Sequence, residues 1–166
     1  MQRYWAAERP AREVRRAADR AAAAAEVGEL SGRELLIAGA IAYWCEGTKN
    51  KPYRPKYRVV FINSDPSLIR LFLRFLAAAG ISSEKLRFRV YIHETADAKR
   101  AELFWLKITG GRPEQFLSPV LKRHNPRTVR KNVGEDYHGC LRIDVSRSSA
   151  LYLKIEGWAE AIMDGT

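Results

Sequence analysis

"LRFRVYIHE", residues 86–94, alternates without interruption. Leu86, Phe88, Val90 and Ile92 fall on one side; Arg87, Arg89, Tyr91 and His93 fall on the other. A period of two belongs to an extended strand. The apolar row has to be covered, and the cationic row has to meet water or an anionic partner. The stretch therefore predicts a sheet with helices packed on one face and its other face open.

The flanking segments supply the helices. "NSDPSLIRLFLRFLAAAG" (63–80) opens with a cap residue, places Pro66 in its first turn and stops at Gly80. "DAKRAELFWLKITG" (97–110) predicts a second helix, and "SSALYLKIEGWAEAIM" (148–163) an amphipathic closing one. "RELLIAGAIAYWCE" (33–46) reads as a helix opened by a capping box, Ser31 with Glu34, and ended by Gly47 at the C′ position. "YRVVFI" (57–62) and "CLRIDV" (140–145) have strand composition. "RPEQFLSPVLKRHNP" (112–126) reads as a loop leading to a strand, "TVRKNV" (128–133). The expected class is α+β, an antiparallel sheet with helices on one face. Residues 1–30, with their five-alanine run, form a separate helical arm of high helix propensity; residues 31–166 form the domain.

Charge narrows the partner. Twenty-nine Lys and Arg against 19 Asp and Glu give +10 and a pI near 9.9. Such a field attracts polyanions, of which nucleic acid is the commonest inside a cell. A generally basic surface without a partner is the plain alternative, so the placement of the charge decides. One cluster is Lys49, Lys51, Arg54, Lys56 and Arg58; another is Lys122, Arg123, Arg127, Arg130 and Lys131. Arg87, Arg89, His93 and Arg142 stand on the predicted open face of the sheet. These side chains suit phosphate contact, and arginine can also read guanine.

Several classes are disfavoured. No apolar run reaches 18 residues and the N-terminus lacks signal-peptide architecture, so neither a membrane nor export is expected. Cys45 and Cys140 make no disulfide framework; each reads as a small buried hydrophobe in a reducing compartment. His138 and Cys140, with His93 or His124, lack paired metal-ligand spacing. No glycine-rich phosphate loop or nucleophile elbow is present. Trp105 and Trp158 sit at helical spacing and read as core.

Glu46 poses the sharpest question. It ends an apolar helix, where the helix dipole disfavours a carboxylate by up to about 1 kcal/mol. Lys49, Lys51 or a hard divalent metal such as Mg²⁺ would offset that cost. Ala38, Gly39 and Ala42 make one face of the same helix small enough for close helix approach.

"LLIAGAIAYWCEGTKNK" followed by "VVFINSDPSLIRLFLRFL" resembles a LAGLIDADG-type domain, and "HGCLRIDVSRSSALYLKIEGW" resembles that family's last strand and closing helix. The likeness spans 33–163 and is nearest to bacterial, especially actinobacterial, members, many of which carry an upstream helix-turn-helix segment. The resemblance implies a saddle-shaped antiparallel sheet lying over double-stranded DNA. It implies a homodimer through the motif helix, with Ala38, Gly39 and Ala42 at the contact. In the family's nucleases the motif's acidic residue binds Mg²⁺, and Glu46 matches it as catalytic and metal-binding position. Here Cys-Glu-Gly stands where Ala-Asp-Gly is usual. The first expectation is therefore sequence-preferring DNA binding of a regulatory kind in the cytoplasm, associated with the nucleoid. The alternative is a Mg²⁺-dependent homing-type endonuclease; an RNA-binding or scaffolding protein comes third.

Overall fold

The computed structural model describes residues 2–123 and 136–165. The chain divides into two units, residues 1–31 and 32–166. The first holds a single helix, α1 (Gln2–Val27), exposed along nearly all of its length from Arg9 onward and closed by Gly28 at φ 58°. One Arg16–Glu13 pair at 2.8 Å braces its surface.

The second unit runs α2 (Gly32–Glu46), β1 (Val60–Asn63), α3 (Pro66–Ala78), β2 (Leu86–His93), α4 (Ala98–Thr109), β3 (Phe116–Lys122), β4 (Cys140–Val145) and α5 (Ser149–Asp164). The cap expected at the start of α3 is in place, and α4 is capped in the same way. Asp65 accepts from the Ser67 amide at 2.7 Å ahead of Pro66, and Asp97 accepts from the Arg100 amide at 2.9 Å. Gly110 then ends α4 in the left-handed region.

The sheet order is β1-β4-β2-β3. β4 runs antiparallel to both β1 and β2, but β3 runs parallel to β2, so the sheet is mixed rather than antiparallel throughout. The reason is the connection: α4 intervenes between β2 and β3, and a crossover helix returns the chain in its original direction. β3 itself lies inside the stretch expected to be loop. It is an edge strand that tolerates Pro119, and its register against β2 slips between Arg89 and Tyr91, where one extra β3 residue is accommodated. The strand expected at 128–133 lies outside the described residues.

The β2 alternation holds in full: Leu86, Phe88, Val90 and Ile92 are buried, while Arg87, Arg89, Tyr91 and His93 are only half-buried. With Leu141, Ile143 and Val145 from β4, the apolar row faces Phe72 and Phe75 of α3, Trp105 of α4 and Ile155 of α5. Fully burying each such large side chain contributes roughly 1.5–3 kcal/mol. Phe72 stacks on Phe61 at 4.2 Å. Among the described residues no helix is long and apolar enough to cross a membrane.

Two glycines of α2 and its exit are fixed by close approach. A Cβ on Gly39 would meet the Phe75 side chain at 2.1 Å, so α3 of the same chain lies against this position. Gly47 was expected as a left-handed cap, yet it lies outside the positive-φ residues and bridges to Phe61 instead. Its missing side chain makes room for the buried Tyr43 ring, 2.5 Å from where a Cβ would stand. Neither cysteine is a buried hydrophobe: Cys45 is exposed and Cys140 is intermediate.

Candidate nucleic-acid interface

The register of the sheet builds one continuous polar face. Arg89 stands opposite Arg142, Arg87 opposite Asp144, and Tyr91 opposite Cys140. His93 pairs with Lys122 at the far end. Like charges directly opposite one another destabilise a strand pair. Asp144 resolves that conflict. Its two oxygens accept from Arg142 Nε and Nη2, both at 2.7 Å, in a two-pronged bond. Arg58 Nη2 donates to the same carboxylate at 2.8 Å, and Arg142 Nη1 reaches the Tyr91 hydroxyl at 3.3 Å. Burial on its own would raise the Asp144 carboxyl, but Arg142 and then Arg58 outweigh it and hold the group below the ordinary carboxylate value. The hydrogen bond to Asp144 likewise holds Arg142 above the ordinary arginine value, against the opposing effect of burial.

The cations assigned to this face thus differ in what they offer. Arg142 and Arg58 share one carboxylate. Arg87 turns its Nη1 to the backbone carbonyls of Glu84 and Leu86, at 2.7 and 2.8 Å, and braces the turn that starts β2. His93 Nδ1 lies 2.9 Å from the Thr95 hydroxyl. Arg89 keeps a buried Nε that has no hydrogen-bond partner among the described residues. It is the central cation of the face.

A second basic surface follows α2. Tyr43 donates its hydroxyl to the Thr48 carbonyl at 2.7 Å, and burial pushes that phenol well above its ordinary value. The Thr48 amide then donates to Val60 at 2.9 Å, the Asn50 amide to the Tyr152 hydroxyl at 2.8 Å, and the Lys56 amide to Asn50 Oδ1 at 2.8 Å. These bonds hold residues 48–58 in place without a regular strand. Lys49, Lys51, Arg54, Lys56 and Arg58 are all exposed along this loop. Lys122 and Arg123 are exposed at the end of β3, whereas Arg127, Arg130 and Lys131 lie outside the described residues.

Glu46 is exposed in the last turn of α2, and among the described residues no ion pair joins it to Lys49 or Lys51. Those lysines turn to rings instead: Lys49 Nζ sits 5.1 Å from the centre of Trp44, and Lys51 Nζ 5.8 Å from the centre of Tyr53. No group of three His, Cys, Asp or Glu side chains able to hold a metal occurs among the described residues. Of the small residues on α2, Gly39 is buried against its own chain. Ala38 and Ala42 are half-buried beside the exposed Ile37 and Cys45.

Sequence reasoning missed Asp144. Its signal was nonetheless present, since it follows Arg142 by two residues on one strand and therefore shares its face. No protein family, curated protein or solved structure matches the chain.

Proposed function

We propose that the protein binds double-stranded DNA through the open face of its sheet and the 48–58 loop, as a homodimer of LAGLIDADG-like domains. The observation that carries this reading is the partition of the sheet. Among the described residues the apolar cover lies on one side, and the other presents Arg89, Arg142, Tyr91, His93 and Lys122 in register, continuous in charge with the loop cations. Guanidiniums pinned by one carboxylate lose little freedom on meeting a phosphate or a base edge, which favours sequence preference over loose adhesion. The second copy would pair through α2, whose exposed Ile37 and half-buried Ala38, Ile41 and Ala42 form a small-residue apolar face.

The second reading is Mg²⁺-dependent DNA cleavage, and the exposed Glu46, which has no ion pair among the described residues, favours it. One chain offers this carboxylate alone, so a metal site would require the second copy to supply another. That donor set falls short of a metal site in the single chain, and no cleavage step is derived from it.

Incubation with a randomised duplex library, with and without Mg²⁺, separates the two. Alongside the parent chain, Arg89→Ala tests the face and Glu46→Gln tests the chemistry. Retention of a subset of duplexes, weakened at least tenfold by Arg89→Ala and indifferent to Glu46→Gln, is the expected result. Defined double-strand ends that need Mg²⁺ and Glu46 would establish the nuclease instead. Equal retention of every sequence by parent and Arg89→Ala would sink the face as a reading surface.

A further inference from the structure

Between the 48–58 loop and the edge of the sheet lies a cleft of about 360 Å³. Its charged lining is entirely cationic: Lys49, Lys51, Arg54, Lys56, Arg58 and Arg142. Asp144 occupies Arg58 and Arg142 from the sheet side, which leaves four cations around the opening with no carboxylate partner among the described residues. The floor is apolar, formed by Val60 at 5% exposure. The rim carries Tyr53, the most exposed large hydrophobic side chain among the described residues at 80%.

Among the described residues Tyr53 packs against no part of the core. Its one ring contact among the described residues is the ammonium of Lys51 at 5.8 Å. An exposed aromatic next to cations is the arrangement that stacks nucleic-acid bases while holding their phosphates. The loop that presents it is fixed in advance by backbone bonds at Thr48, Asn50, Arg54 and Lys56, so little ordering is needed on binding. The volume lies in the range of small-ligand pockets, roughly 300–1,000 Å³.

We infer that this cleft binds a single unpaired nucleotide unit, its base stacked on Tyr53 and its phosphate held by Lys49, Lys51 and Arg54. A phosphate alone would need no aromatic rim. An uncharged aromatic ligand would need no ring of cations. A continuous duplex offers phosphates but buries its base faces in the stack. The ligand is thus either a free nucleoside monophosphate or a nucleotide left unpaired in a strand. The site draws on loop cations that the duplex reading also enlists, but it does not require that reading and survives its failure.

Calorimetric titration of the full chain with adenosine 5′-monophosphate, adenosine and inorganic phosphate tests the chemistry. The monophosphate is expected to bind at least tenfold more tightly than either fragment. Tyr53→Ala, an exposed change that leaves the fold intact by circular dichroism, weakens it about tenfold while leaving phosphate unchanged. Tyr53→Phe restores it. A duplex carrying one bulged 2-aminopurine distinguishes the sources. Tenfold preference for the bulge over the paired duplex, lost in Tyr53→Ala, assigns a strand; monophosphate binding with no such preference assigns a free nucleotide. Equal affinity for monophosphate and phosphate, binding of neither monophosphate nor bulge, or indifference to Tyr53→Ala overturns the inference.

Discussion

Asp144 shows how one side chain sets the character of a basic face. Arg89 and Arg142 oppose each other across β2 and β4, and the carboxylate that offsets the charge of Arg142 also receives Arg58 from the loop. Asp144→Asn keeps the shape and removes the charge, and is expected to cost about 1 kcal/mol in urea unfolding at neutral pH, since the partners are partly exposed. The pH dependence has a definite sign. The folded carboxyl lies below its unfolded value of about 3.9, so its contribution is complete above that value and disappears as pH falls through the folded one. Parent and variant midpoints should differ at neutral pH and converge in strong acid. A gap that persists unchanged into acid would show that packing, and not charge, is what the carboxylate supplies. Counting charge alone, the variant should hold DNA more tightly. On the pinned-guanidinium reading it should instead discriminate less between duplex sequences, which the same library measures.

At the scale of elements, the approach of α2 to α3 rests on Gly39. Alanine there raises helix propensity by about 1 kcal/mol but drives a Cβ into the root of the Phe75 side chain. Phe75 is fully buried and cannot swing aside. Overpacking of this kind costs roughly 1–3 kcal/mol, so Gly39→Ala should lower the melting temperature by several degrees despite the better helix former. An unchanged or higher melting temperature would mean that the two helices part easily. The same contrast between local pattern and tertiary context explains what the sequence made legible. β2 was readable because its alternation is complete and one face is dry, and α3 because Asp65 and Pro66 mark its start. β3 was not, because Pro119 and polar Ser118 look like loop wherever edge status is unknown. Its parallel direction depends on how α4 packs, which no local signal carries. Individual cations of the site were visible as composition. That Arg142 and Arg58 share Asp144, and that Gly39 serves an intrachain contact, follows only from the register and from the fold.

For the molecule as a whole, the charge is concentrated in one unit. Residues 1–31 contain six arginines against five carboxylates, so nine of the ten excess positive charges belong to residues 32–166. If DNA binding is carried by the sheet face and the loop, its salt dependence should belong to that unit too. A protein neutralising about six to ten phosphates loses roughly 10³–10⁵-fold in affinity between 50 and 200 mM salt, with a slope near −0.9 for each phosphate. Filter binding of a duplex to the full chain and to residues 32–166 should therefore give steep log–log slopes differing by less than about one phosphate equivalent. A slope that falls by several units on removing α1 would transfer the DNA contacts to the arm, whose arginines would then be touching phosphates directly. A shallow slope for both chains would end the duplex reading, because a surface of this charge cannot hold a duplex without displacing its counterions.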